Sequence, residues 1–283
     1  MSARDAIRGL ACGFSRSVRE RRPMVMLEAV DGYADDSAER DGAYVLAGWT
    51  GTAPRWEDFS EEYEKAGLPR TLHMKTVRRP RGARVRKLAE LTERFASYRI
   101  DCLLHQGNYD DIFKGKVPPE IDSPYFPLFF QVILATARLL DRIGSDDTVD
   151  WIFDEQGDIG VESVRWYYWI KERARPNLKR RLGATPIFRD DNKLLPLKAA
   201  DLLAWQIRRH VTYEQPKGEP LNPILDSFLA RHGVSCNMTG PYLAEMVKVL
   251  RKDQPIDQTG LILKAQCRFF LAKPHGVKNA THS

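Results

Sequence analysis

The chain reads as an α/β domain built on a mixed sheet, and three observations lead there. Segments with strand alternation and segments with helical periodicity follow one another along most of the 283 residues. The first two strand-like segments are separated only by a short acidic loop, so the sheet should open with antiparallel hairpins. No internal repeat or low-complexity linker interrupts the pattern, which leaves one large domain from about Pro23 onward.

Each element follows from its local pattern. The leader MSARDAIRGLACGFSRSVRERRP (1–23) is basic and modestly amphipathic, without the continuous apolar run of a secretory signal. Residues 1–22 are therefore expected to be a basic arm or short helix packed on the domain. MVMLEAVDGYADD (24–36) reads as a strand running into a polar turn, and GAYVLAGWTG (42–51) as a second strand. PRWEDFSEEYEKAG (54–67) is helical, with Trp56, Phe59 and Tyr63 at helix spacing and Gly67 as its cap. RVRKLAELTERFASY (84–98) is a second amphipathic helix, leading into the strand RIDCLLHQG. After a Pro-rich loop comes a long helix over 125–143, ended by Gly144. TVDWIFDEQG (148–157) is a strand, ESVRWYYWIKERAR (162–175) a helix, TPIFRDD a short strand, and LPLKAADLLAWQIRRH (195–210) an apolar helix.

Composition narrows the function classes. With 43% hydrophobic and 29% charged residues the chain has the make-up of an ordinary globular protein. Its net charge of +6 is too mild to demand a polyanionic partner. The four cysteines (Cys12, Cys102, Cys236, Cys267) are scattered and form no CxxC pair, which argues against a zinc finger and against a disulfide framework. A reducing, cytoplasmic setting is the expectation. The longest apolar stretch, 125–140, is too short and too interrupted for a membrane span. There is no Gly-rich phosphate loop, HExxH or G-x-S-x-G, and nothing supports covalent catalysis by serine or cysteine.

The acids are more informative. In TVDWIFDEQG, alternation sets Trp151 and Phe153 on one face and Ile152 and Asp154 on the other, with Asp154 and Glu155 at the strand end. Asp31, Asp35 and Asp36 stand after the first strand in the same way. Ligand sites of open α/β sheets gather at such ends. Asp201 lies on one helical stripe with Leu197, Ala204, Trp205 and Arg208, where a carboxylate loses hydration and needs a cation. Lys198, Arg208, or a metal ion shared with the strand-end acids would each serve. Carboxylates drawn from two strands and one helix would suit Mg²⁺ or Mn²⁺, and two such ions can drive phosphodiester hydrolysis. Taken singly, each acid is also an ordinary turn former.

A basic surface accompanies them. Between Arg70 and Lys87 there are eight Lys or Arg residues and no acid, including Lys75, Arg78, Arg79, Arg81, Arg84 and Arg86. KERARPNLKRR (171–181) is a second cluster. Such runs are often solvated faces, but together with strand-end acids they point to a phosphate-backbone partner. His73, just before the first run, is a candidate for binding or proton transfer. Trp49, Trp56, Trp166 and Trp169 are expected in the core or at an interface.

Four segments in this order, YADDSAERDGAYVLAGW, LHMK, WIFDEQGDIGVESVRWYYWIKE and IFRDDNKLLPLKAADLLAWQIRR, resemble the bacterial domain-of-unknown-function 3800 family. The resemblance runs from about Met24 to His210; residues 23–275 would then be one domain, loosely matching and helical from about 215. It implies an RNase H-like mixed sheet flanked by helices and a metal-dependent nuclease acting on nucleic acid, structured RNA before DNA, with Mg²⁺ or Mn²⁺. The family's turn acids fall on Asp35 and Asp36, its histidine on His73, its strand-end acids on Asp154 and Glu155, and its helix acid on Asp201. Asp35, Asp154 and Asp201 would ligate the metal, with Asp31 a rival for the first position. Glu155 would complete the shell or orient a water, His73 would assist, and Asp190, Asp191 and Lys198 would stand outside the ligands. The basic residues Lys75 to Lys87 would track the phosphates. Two departures matter: Ala38 replaces the turn glycine, and Lys198 replaces the usual glutamine, close enough to Asp201 to pair with it. They keep open a descendant that binds nucleic acid, or another partner, without cutting. A homodimer is equally open.

Overall fold

Continuous apolar runs over 24–27 and 43–49, buried on both faces, build two long strands at the middle of the sheet. The computed structural model describes residues 3–11, 15–30, 42–77, 82–155, 157–251, 256 and 266–270. The turn acids Asp31, Asp35 and Asp36, and Arg78, Arg79 and Arg81 of the basic run, lie outside these residues.

The strands are β1 (Pro23–Val30), β2 (Ala43–Thr52), β3 (Arg99–His105), β4 (Asp150–Asp154), β5 (Ile187–Arg189), β6 (Gly233–Met238) and β7 (Gln266–Phe270). They form one seven-stranded mixed sheet in the order β5-β4-β1-β2-β3-β6-β7. As the short first loop required, β1, β2 and β3 run antiparallel in succession. β4 lies parallel to β1, and β5 parallel to β4. β6 is parallel to β3, and β7 closes the far edge antiparallel to β6.

The helices are α1 (Ala3–Leu10), α2 (Arg16–Arg21), α3 (Ala53–Lys65), α4 (Ala83–Phe95), α5 (Gln106–Asn108), α6 (Tyr125–Arg142), α7 (Gly157–Arg173), α8 (Pro176–Lys179), α9 (Leu197–Arg209), α10 (Pro223–Ala230) and α11 (Gly240–Arg251). Strand alternation sorts them into two layers. Met24, Met26, Val45, Ala47, Trp49 and Ile152 face a core shared with α1, α3, α4, α9 and α10. Val25, Leu27, Tyr44, Leu46, Trp151 and Phe153 face a second core shared with α6, α7 and α11. Gly67 and Gly144, with φ of 65° and 70°, end α3 and α6 in the left-handed conformation that a side chain would resist.

Three features differ from the expected elements. The helix that begins near residue 84 stops at Phe95, because Thr50 exchanges backbone hydrogen bonds with Ser97 and Tyr98 and draws that segment onto β2. The helix expected from 162 starts at Gly157, so β4 and α7 are separated by only two residues. The region beyond 215 is not simply helical: α10 and α11 alternate with β6 and β7, which widen the sheet past β3.

The basic leader pairs with α3 through its first helix and with Asp147 and Asp150 through Arg21 and Arg22. Ile7 is buried beneath α3, Arg4 pairs with Glu57 and Glu61 at 3.2 and 3.0 Å, and Arg8 pairs with Glu57 at 3.1 Å. Cys236 and Cys267, 31 residues apart, are partners in the β6–β7 register and form a disulfide, with the Gln131 amide 3.4 and 3.1 Å from the two sulfurs. Sheet register, invisible in the spacing, brings them together. Among the described residues no helix is long and apolar enough to cross a membrane.

Candidate metal centre

α9 lies across β1 and β2, fixed at its start by the Trp49 indole, which donates to the Ala199 carbonyl at 3.2 Å. Its apolar residues must bury against the sheet, and that rotation carries Asp201 inward to 2% exposure. The segment 72–77 closes over it. Met74 is buried, and its backbone N–H donates to Asp201 Oδ2 at 2.8 Å. His73 Nδ1 stands 3.3 Å from the same oxygen, with 40% of its side chain exposed. Asp201 is therefore held by a backbone donor and an imidazole.

The turn between β5 and α9 supplies the next groups. Asp190 folds back on its own turn, accepting from the Asn192 backbone N–H at 2.9 Å, which holds its carboxyl below the usual range. Asp191 points the other way and is buried. Its backbone N–H donates to Asp154 Oδ1 at 3.1 Å, and its own Oδ2 accepts from Lys198 Nζ at 2.6 Å. Lys198, in the first turn of α9, is 1% exposed. Of the two cations offered by the sequence, Lys198 neutralises Asp191 rather than Asp201.

Three carboxylates thus crowd the end of β4 with one buried ammonium among them. Burial, followed by repulsion from Asp191, pushes the Asp154 carboxyl up to about 6. Burial also pushes Asp201 up to about 6, against the pull of His73 and the Met74 N–H. The Tyr63 hydroxyl, donating to the Pro69 carbonyl at 2.8 Å, is raised by its burial and then by Asp191 and Asp201.

One ligand atom each from His73, Asp191 and Asp201 lies within 4.8 Å of the other two. Two carboxylate oxygens and one imidazole nitrogen suit Mn²⁺ well and Mg²⁺ acceptably. The electrostatics fit too, because a cation would offset the burial and the repulsion from Asp191 that raise the Asp154 and Asp201 carboxyls. The residues present can therefore hold such an ion.

The structure brings Asp154, Asp201 and His73 together, as drawn from three distant segments, and adds Asp191 between them. Asp154 reaches the cluster through the Asp191 backbone and does not belong to the tight trio. Glu155 is exposed, with its backbone N–H bonded to the Arg189 carbonyl. Lys75, Arg84, Arg86 and Lys87 are exposed beside the segment that carries His73, although Lys87 pairs with Glu90 at 3.2 Å. The second basic cluster serves structure in part: Arg181 is buried and bonds Asp141 at 2.7 Å. Trp49, Trp56 and Trp166 are core residues, and Trp169 packs at the core's edge. Sequence reasoning missed the contributions of Tyr63, read only as a member of an apolar stripe, and of the Met74 backbone, which no residue type announces.

In comparison with known proteins, no protein-family model matches the chain and no curated protein matches it.

Proposed function

We propose that the protein is a metal-dependent phosphodiesterase that hydrolyses nucleic acid, RNA before DNA, on an RNase H-like domain of the domain-of-unknown-function 3800 type. The observation that carries this reading is the meeting of His73, Asp191 and Asp201 within ligand distance at the end of β4, beside Asp154. The sheet is in keeping with it: three antiparallel strands first, then two parallel strands on the side where the acids stand.

Asp191, Asp201 and His73 would hold Mg²⁺ or Mn²⁺, which when bound would activate a water and stabilise the charge developing on the phosphate. Asp154 orients the loop that presents Asp191. His73 is open to solvent on one side, so its other ring nitrogen can meet a phosphate oxygen. Lys75, Arg84, Arg86 and Lys87, all exposed, give the backbone of a nucleic acid a favourable approach. A second reading, a protein that binds nucleic acid without cutting it, draws support from Lys198, whose ammonium already sits on one of the carboxylates.

The test is cleavage by the pure chain with Mg²⁺ or Mn²⁺ on single- and double-stranded RNA, DNA and an RNA–DNA hybrid. Cleavage that both Asp154→Ala and Asp201→Ala abolish is the expected result. Tight binding on any of these substrates without cleavage, unchanged in both variants, would favour the second reading.

A further inference from the structure

We propose that Lys198 is a built-in substitute for a second metal ion, so that the centre takes one divalent cation and not a pair. The inference rests on the metal-dependent reading above and deepens it. A two-ion centre places its ions about 3.5–4 Å apart and uses a carboxylate that bridges them through both oxygens. Asp191 is the natural bridge, since its carboxylate belongs to the trio and its backbone reaches Asp154. It is not free to act as one. Its Oδ2 is engaged by Lys198 Nζ at 2.6 Å, and its main chain is tied to Asp154.

Charge gives the same count. Asp154, Asp191 and Asp201 carry three negative charges when ionised, and Lys198 returns one. A single divalent ion brings these four described side chains to neutrality; a second would leave a positive surplus among them in a buried place, which is costly. Lys198 cannot easily withdraw. It rises from the first turn of α9 between Leu197 and Ala199, both fully buried, and its own side chain is 1% exposed. Its stem is clamped where a mobile ion would otherwise come and go.

The experiment is a calorimetric Mn²⁺ titration of the full chain, with the bound ions examined by electron paramagnetic resonance. The wild type is expected to saturate at one ion with an isolated-ion spectrum. Lys198→Arg should keep that count. Lys198→Met, which removes the charge at similar volume, should raise it to two ions with an exchange-coupled spectrum. Circular dichroism confirms that each variant is folded, and the wild-type count stands if Lys198→Met is not. Two coupled ions in the wild type, or one ion in a folded Lys198→Met, would overturn the role given to Lys198 while leaving the metal centre intact. No bound Mn²⁺ in the wild type would overturn both.

Discussion

Asp201 is buried beside other acids, yet it accepts one backbone N–H, from Met74, and otherwise has a part-exposed imidazole beside it, whose Nδ1 accepts from the Lys75 N–H. Such a group favours its neutral form. Its carboxyl is raised to about 6, so its contribution to folding is fully present below its unfolded value near 3.8 and is lost as pH rises through about 6. Asparagine keeps an oxygen for the Met74 N–H and carries no charge. In metal-free protein at pH 7.5, Asp201→Asn should therefore stabilise the fold by on the order of 2 kcal/mol. The gap should close by about pH 3, below the unfolded value, where the wild-type carboxyl is protonated in both states. Urea denaturation across that range checks it. A variant less stable than wild type at pH 7.5 would mean that the ionised carboxylate is already well compensated without a metal. Asp201 itself was legible in the sequence, since a lone acid on an apolar helical stripe has to be answered. Its partner was not, because a backbone N–H contributed by a loop more than a hundred residues away leaves no mark on the pattern.

α9 and α4 show what legibility means at the level of elements. Both were readable from their periodicity, and both place residues as the stripe requires: Leu202 and Leu203 inward on α9, Val85, Leu88 and Leu91 inward on α4. The consequence for α4 is that Arg84, Arg86 and Lys87 have to face outward, near the segment carrying His73. If they meet phosphates, replacing all three with alanine should weaken binding of a duplex without changing its sequence preference. The slope of log affinity against log salt should also flatten by roughly 2–3. Titrations at several salt concentrations measure that slope, and an unaltered one would remove α4 from the nucleic-acid surface. The ends of elements were less legible. Phe95 ends α4 early because residues 97 and 98 are claimed by β2, a tertiary demand stronger than the local helical signal. The strands β6 and β7 escaped notice because both are short, and β7 lies at the sheet edge, where one face need not be apolar.

At the scale of the whole molecule, the sheet order does what no single segment can. β4 lies against β1 and β5 against β4, so the end of β4, the turn after β5 and the start of α9 meet at one place. The mixed sheet and its antiparallel opening followed from interleaved periodicities and a short first loop. The convergence of Asp154, Asp191 and Asp201 did not, because adjacency of strands depends on pairing across long separations. The same holds for Cys236 and Cys267, which only the register of β6 and β7 joins. The most direct measurement is an anomalous difference map from crystals soaked in Mn²⁺. A peak bonded to Asp191, Asp201 and His73, lost in crystals of Asp201→Asn, is the expected result. A map in which saturating Mn²⁺ leaves that place bare, or binds only at surface acids elsewhere, would contradict a metal centre at the end of β4.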